Sequence, residues 1–543
     1  MCCRLEVCAL ALLMFQPGTG TTSGLRTAAP LRHCHFQETG GNALDAGHLG
    51  FAPPGTGNQK ACDPMLRRAR KQIKQLLGPA VRQSRSGGHE PTPAHWGLTV
   101  TPSGHLACDS VSLASLREKW GSPLHVVLAR RLRENASEFL AVNGVGRTRA
   151  EVYYSYKSNP VPGVLQLLHG LGIGAEVISE YELWLALKLG VPANRIVFNG
   201  PAKSTAAIHD AVARDLLLLN VNHREEIDVV ATAARALGKR PRIGIRVAAS
   251  AGWSGQFGLS IGQGEAFAAI KQVHESGILQ LTAIHCHAGG MLRSAQQVLG
   301  YVGEVLALAD RVRSELGVEL AILDFGGSLA TPTVAGISEF DRRLSIAFQA
   351  PIPAPVPDAT ISIREYVRCV VEKVEAHYAA TARQCPRIFF EPGRAMTGNA
   401  QVLITSVLSL NAHDPKPGWA ILDAGINLAE SARSEFHHIL PASRMHAERA
   451  LRYRLAGPIC SPGDVLSWSA LLPELAIGDA LAIMDAGAYF VPFATSFSFP
   501  RPAIVMVDGS DVHLLRRAET FEDIIALDRV EQPPTNEKRQ ALQ

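Results

Sequence analysis

Residues 151–180 read EVYYSYKSNPVPGVLQLLHGLGIGAEVISE. Two short apolar runs stand in this stretch, Val152 to Lys157 and Gly174 to Ser179, separated by a segment long enough for a helix. Such spacing reads as strand, crossover, strand. The pattern repeats outward at Arg195 to Gly200, Leu217 to Asn222, Arg242 to Ala248, Leu281 to His287, Leu320 to Gly326 and Arg387 to Glu391. Segments of helical period lie between the runs at Glu182–Leu189, Glu225–Leu237, Glu265–Glu275, Ala295–Leu316 and Arg364–Arg383. Eight repeats in about 250 residues have the size of a closed barrel rather than an open sheet, so the chain is expected to be α/β with a (β/α)8 barrel.

After residue 396 the character changes. Val402 to Leu410, Trp419 to Ile426, Ala480 to Asp485 and Ala503 to Val507 read as strands with no helices between them, which predicts a β domain. The strand-like segment Trp96 to Leu106 precedes the barrel and is expected to join that sheet. Residues 16 to about 95 are rich in Gly, Pro, Thr, Ser and His and read as an irregular extension, within which Met65 to Leu77 places Leu66, Ala69, Ile73 and Leu76 on one helical stripe. The resulting division is 1–95 extension, 96–123 strand segment joining the β domain, 124–396 barrel, 397–527 β domain and 528–543 polar tail.

Composition narrows the class. Hydrophobic residues at 47% and charged residues at 19% describe a globular protein, and no apolar run reaches the roughly 20 residues of a membrane span. A net charge of +4 over 543 residues argues against a nucleic-acid or membrane partner and leaves small molecules. The ten cysteines are scattered without a CxxC pair, which fits a reducing, cytoplasmic compartment. Arg4 before a short apolar stretch resembles an export signal, but Glu6 interrupts it and no clear cleavage site follows. His33-Cys34-His35 lacks a second ligand cluster at zinc spacing, so no metal site is expected.

The chemistry is read from the strand ends, because a barrel of this type builds its site there. The first run ends YYSYKSN and places Lys157 at the mouth, where desolvation is expected to lower its pKa and free the amine for a Schiff base. Later runs end HCHAGG, LDFGGSLA and FFEPGRAM, which supply an imidazole, glycine turns with free amides, a carboxylate and a guanidinium. Glycines allow backbone N–H groups to approach an anion, and Arg394 could add charge-assisted bonds. Taken singly, these residues have plainer readings: Glu391 as a helix cap, Cys460 as a small hydrophobe, Tyr489 as core packing.

Together, the motifs YSYKSN, HAG, DFGG, EPGR, GPIC and DAGAY stand in the order found in the diaminopimelate and ornithine decarboxylase family, the fold-type III pyridoxal-phosphate enzymes, which the chain resembles from about residue 96 to 525. The resemblance implies an alanine racemase-like barrel with a C-terminal β-sandwich or β-barrel domain, pyridoxal 5'-phosphate as cofactor, and a homodimer with shared active sites acting on a small amino-acid-type substrate. It makes Lys157 the residue that carries the cofactor and His287 the imidazole stacked on its ring. Glu391 would pair with the pyridine nitrogen, keeping the ring electron-withdrawing. Gly326, Gly327, Arg394 and Tyr489 would hold the phosphate, and Cys460, from the partner subunit, would return a proton after CO2 leaves.

The chain also departs from the family. Gly290 stands where a phosphate-binding serine is common, Ser328 replaces a third glycine, Glu176 replaces an aspartate and Gln256 a lysine. Ser461 follows Cys460 where diaminopimelate and ornithine enzymes place an acid for the substrate's distal ammonium. Leaving such a charge buried without a partner costs about 3 to 5 kcal/mol, so a free distal amine needs another acid. The segment SEFHHILPASR, with His437 and His438, falls near the substrate-reading region. These departures predict a modified substrate, such as a citrate-linked diamino acid of siderophore assembly. Alternatives are decarboxylation of diaminopimelate to lysine, a racemase of the same build, which Glu391 opposes, or a non-catalytic regulator.

Overall fold

The eight expected barrel strands are β1 (Ala150–Ser155), β2 (Gly174–Val177), β3 (Ile196–Phe198), β4 (Leu218–Val221), β5 (Arg242–Ala248), β6 (Gln280–Cys286), β7 (Ile322–Asp324) and β8 (Arg387–Phe390). They pair in parallel in chain order, and the ring closes where Ile388 and Phe389 of β8 meet Ala150 and Glu151 of β1. Such strands are covered on both faces, which is why they read as continuous apolar runs rather than alternating ones. Tyr153, Val197, Leu218, Ala283, Ile322 and Phe389 fill the interior, so the barrel is a packed core and not a pore.

The computed structural model describes residues 64–85, 92–141, 146, 148–250, 255–289, 292–411 and 418–529. The leader, His33-Cys34-His35, Gly290 and the tail from residue 530 therefore lie outside the described residues.

Serine caps start five of the outer helices. Ser179, Ser204, Ser294, Ser338 and Ser362 each accept the backbone N–H three residues on, satisfying a donor that has no intrahelical partner. The longest of these, Ala295–Leu316, turns Val298, Tyr301, Val302, Val305 and Val312 onto the barrel. Helices Glu225–Leu237 and Glu265–Glu275 have the limits read from the sequence.

The β domain departs from expectation at its entry. Leu124–Leu128, within the segment expected for the barrel, pairs antiparallel with Gln401–Asn411 and parallel with Ala503–Asp508, at the centre of the second sheet. Its five residues are all buried, and an all-buried run carries no sign of which sheet buries it. Conversely, Leu98–Val100 and Leu106–Cys108 do not extend that sheet. With Val111–Ser112 they form a separate antiparallel ribbon, which joins the domain through packing of Trp96, Leu98, Leu106 and Leu113 against Val126, Val402 and Val505. The 1–95 segment is likewise not wholly irregular: Pro64–Arg85 is a helix, longer than the stripe suggested, with Arg82 Nη1 donating to the Phe348 carbonyl and Arg85 paired with Asp341. Among the described residues no helix is long and apolar enough to cross a membrane.

Candidate active site

The carboxyl ends of the strands open into a cavity of about 720 Å³, closed on one side by Glu430, Ser431, Ser434, Glu435 and Tyr489 of the β domain. β1 ends in a single 3-10 turn, Tyr156–Ser158, that carries Lys157 to this mouth. Its Nζ lies 3.2 Å from Oε2 of Glu176, which is fully buried on β2 and also accepts the Ser155 hydroxyl. Burial disfavours the ammonium, but the charges of Glu176, Tyr489 and Glu391 outweigh it and hold the Lys157 pKa above its ordinary value. The expectation of a lowered pKa is thereby corrected, because it counted desolvation and not the carboxylate of the next strand.

From Glu176 a line of polar groups crosses the barrel. Asn199, just past β3, donates through Nδ2 to Oε1 of Glu176 at 2.9 Å and to Oε1 of Glu391 at 2.8 Å, and its own oxygen accepts Asn220 Nδ2 at 2.7 Å. Glu391 also meets His285 Nε2 at 3.2 Å and lies beside Asp324. Burial opposes ionisation of both acids. In Glu391 it is overcome by His285, Asp324 and Lys157, which hold that carboxyl well below the usual range; in Asp324 burial and the Glu391 charge push the pKa far up. The opposite directions favour Glu391 as the anion and Asp324 as the neutral acid of the pair.

The anion-binding side is made by the loops after β6, β7 and β8. Gly326, Gly289 and Ser328 have positive φ, and a Cβ on Gly327 would stand 2.5 Å from the Glu391 carbonyl oxygen, so only glycine allows that approach. Tyr489 also has positive φ, and its N–H donates to the Ser158 carbonyl at 2.9 Å. Lys157, His287, Gly327, Glu391, Arg394 and Tyr489 all line the cavity, with Gly326 in the turn beneath it. A carbonyl-trapping amine, a fixed anion opposite and a glycine cradle fit pyridoxal phosphate.

Four residues stand apart from the sequence reading. The Arg394 guanidinium turns to Glu435, donating to Oε1 at 2.6 Å through Nη2 while stacking over the Tyr489 ring, and its buried Nη1 has no hydrogen-bond partner among the described residues. Cys460 is exposed in the loop before Asp464 and does not line the cavity of its own chain. His437 and His438 also lie behind the wall: His437 Nδ1 donates to the Met484 carbonyl, and His438 packs against Trp96 and Phe436. In their place Glu430, Ser431, Ser434 and Glu435 face the cavity.

Asn199, Arg246 and His285 escaped sequence reasoning. Arg246 lines the cavity with its guanidinium over Phe257, but it sits inside β5 rather than at its end. His285 and Asn199 were legible only as part of the strings HCH and FNG, where nothing separates a site residue from a turn or core polar residue.

The chain is similar to known proteins over the barrel and beyond it. Residues 128–398 match the pyridoxal binding domain of pyridoxal-dependent decarboxylases. A diaminopimelate decarboxylase of Aquifex aeolicus is 30% identical over 436 residues, covering 78% of this chain and 95% of that protein. One from Methanocaldococcus jannaschii is 28% identical, over 79% of this chain and 96% of the other. The crystal structure of a diaminopimelate decarboxylase from M. jannaschii superposes with a TM-score of 0.70 at 25% identity, over 80% of this chain and 98% of that one, as does its complex with L-lysine.

Proposed function

The chain belongs to the pyridoxal-dependent decarboxylases, a family of carboxy-lyases, and on that premise we propose that it removes the α-carboxylate of meso-diaminopimelate to leave lysine. The observation that carries this reading is the Arg394–Glu435 pair on the cavity wall. The distal carbon of diaminopimelate bears an ammonium and a carboxylate, and a paired guanidinium and carboxylate is complementary to both. With Glu430 nearby on the same wall, the acid missing at Ser461 has replacements from another segment. The relatives named diaminopimelate decarboxylase support the same substrate.

Bound in this cavity, pyridoxal phosphate supplies a ring that accepts the electron pair of the breaking bond to the carboxylate. The protein supplies the rest. Lys157 provides the amine for covalent attachment. Glu391, kept ionised by its buried partners, holds a proton at the pyridine nitrogen. Asn199 fixes Glu391 and Glu176 relative to each other, so the charges that meet the ring and the amine are set before substrate enters. Cys460 reaches a cavity only in a second copy on this reading, which requires a homodimer with shared sites. The five cysteines among the described residues are all thiols, in keeping with a cytoplasmic enzyme.

A second reading rests on Ser461: without an acid beside Cys460, a substrate whose distal amine is acylated, such as a citrate-linked diamino acid, avoids a buried unpaired charge. CO2 release by the cofactor-loaded protein from diaminopimelate, ornithine, lysine, arginine and citryl-diaminopropionate, with Lys157→Ala as blank, separates the two. Selective turnover of diaminopimelate is expected. Selective turnover of the citryl compound would replace the first reading by the second, and no release from any would remove both.

A further inference from the structure

The geometry points to Ser328 as the positioning residue that fixes the tautomer of His287 in the cofactor cavity. The loops after β6 and β7 run side by side here, with Leu292 N–H bonded to the Ser328 carbonyl at 2.8 Å and Ala330 N–H to the Leu292 carbonyl at 3.0 Å. Ser328 stands between them at φ +56°, a left-handed backbone that glycine adopts freely and a serine only at a cost. Strain of this kind persists where the surroundings impose it and marks a place to look for function.

What the serine adds is a hydroxyl with two neighbours. Gly289 N–H donates to Oγ at 3.2 Å, and Oγ lies 2.7 Å from Nδ1 of His287. A hydroxyl has one proton and two lone pairs; the Gly289 amide occupies one lone pair and leaves the proton free to point at Nδ1. Gly327 N–H points at the same nitrogen from 3.4 Å. With donors on both approaches Nδ1 acts as an acceptor, and the single imidazole proton resides on Nε2. The surroundings agree on the charge: burial, then Lys157 after β1, Arg246 on β5 and His285 on β6, hold the ring neutral against the opposing pull of Glu391 after β8. Burial and charge keep the ring neutral without choosing a tautomer; the Ser328 hydroxyl chooses it. A neutral ring with one defined N–H presents the same face and dipole to the cofactor in every molecule.

The test uses the cofactor-free protein with 15N-labelled histidine, so it does not depend on turnover, and His287→Gln identifies the signal. Wild type is expected to show a bare Nδ1 and a protonated Nε2 with no titration near neutral pH. Ser328→Gly removes the hydroxyl while relieving the left-handed backbone, so it is expected to fold at least as well. It should give a tautomer mixture at His287, with pyridoxal phosphate binding weakened by about tenfold. Ser328→Ala should do the same. A wild-type spectrum carrying the proton on Nδ1, or an unchanged spectrum in Ser328→Gly, would overturn the assignment. A change in Ser328→Ala alone would also overturn it, by tracing the effect to backbone strain.

Discussion

Asn199 joins the two carboxylates that matter most to the site, one amide nitrogen donating to both. Truncation to alanine takes one buried donor from Oε1 of Glu176 and one from Oε1 of Glu391. Hydrogen bonds to charged groups contribute about 1.5 to 3 kcal/mol, so Asn199→Ala is expected to weaken pyridoxal phosphate binding by roughly tenfold to a hundredfold, read by fluorescence titration. Glu182 offers a residue-scale test of stability. Burial, with Glu176 nearby, raises its pKa from the ordinary 4.5 to about 7. A raised acid favours folding in its protonated form, so this contribution is whole below about pH 4.5 and is lost as pH rises through about 7. Glu182→Gln, which keeps an acceptor for the Ile178 N–H, is expected to gain on the order of 2 kcal/mol at about pH 8 and almost nothing at about pH 4, measured by denaturant unfolding. Lys157 and Glu391 were legible as residues because strand-end motifs expose them. The direction of the Lys157 shift was not, since it depends on a partner 19 positions away that the parallel pairing of β1 with β2 brings near.

Helix Ala295–Leu316 begins with a reciprocal cap in which Ser294 accepts the Gln297 N–H and Gln297 reaches back to the Ser294 backbone. Ser294→Ala should cost about 1 kcal/mol of unfolding free energy without changing cofactor binding. The reverse separation is expected at Gly327→Ala. Its Cβ meets a backbone oxygen that cannot swing away, so the cradle must open and cofactor binding is expected to be lost, read by the same titration. Long amphipathic helices were legible to the residue at Glu225–Leu237 and Glu265–Glu275, because a buried stripe repeats for three turns or more. Leu451–Ala456, Val465–Leu472 and Asp511–Arg516 were not read as strands. They are largely half-buried, and polar residues interrupt their apolar pattern. Barrel strands, buried on both faces, gave the plainest signal, and for the same reason Leu124–Leu128 was read into the wrong sheet.

At the scale of the molecule, the buried histidines set the acid limit of stability. Burial, then Arg516, pushes His125 down from the ordinary 6.5 to about 3; burial, then His437 and His95, pushes His438 down to about 4. A depressed base contributes stability that is present above about pH 6.5 and is lost as pH falls through the folded value. Melting temperature is therefore expected to decline steadily as pH falls from about 6.5 toward about 4, and His438→Gln should flatten part of that slope. The order of the eight strands and the presence of a second sheet could be read from the chain because each repeat is local. How the β domain returns to the barrel could not, because it rests on pairings between residues some 280 or 380 positions apart, such as Val126 with Val402 and with Val505.

The central claim, that this cavity holds pyridoxal phosphate on Lys157, is tested most directly by reducing the cofactor-loaded protein with borohydride and mapping the modified peptide. A phosphopyridoxyl group on Lys157, absent in Lys157→Ala, is the predicted result. Modification at Lys203 instead, another lysine buried beside a carboxylate, or no stable adduct at all, would contradict the account.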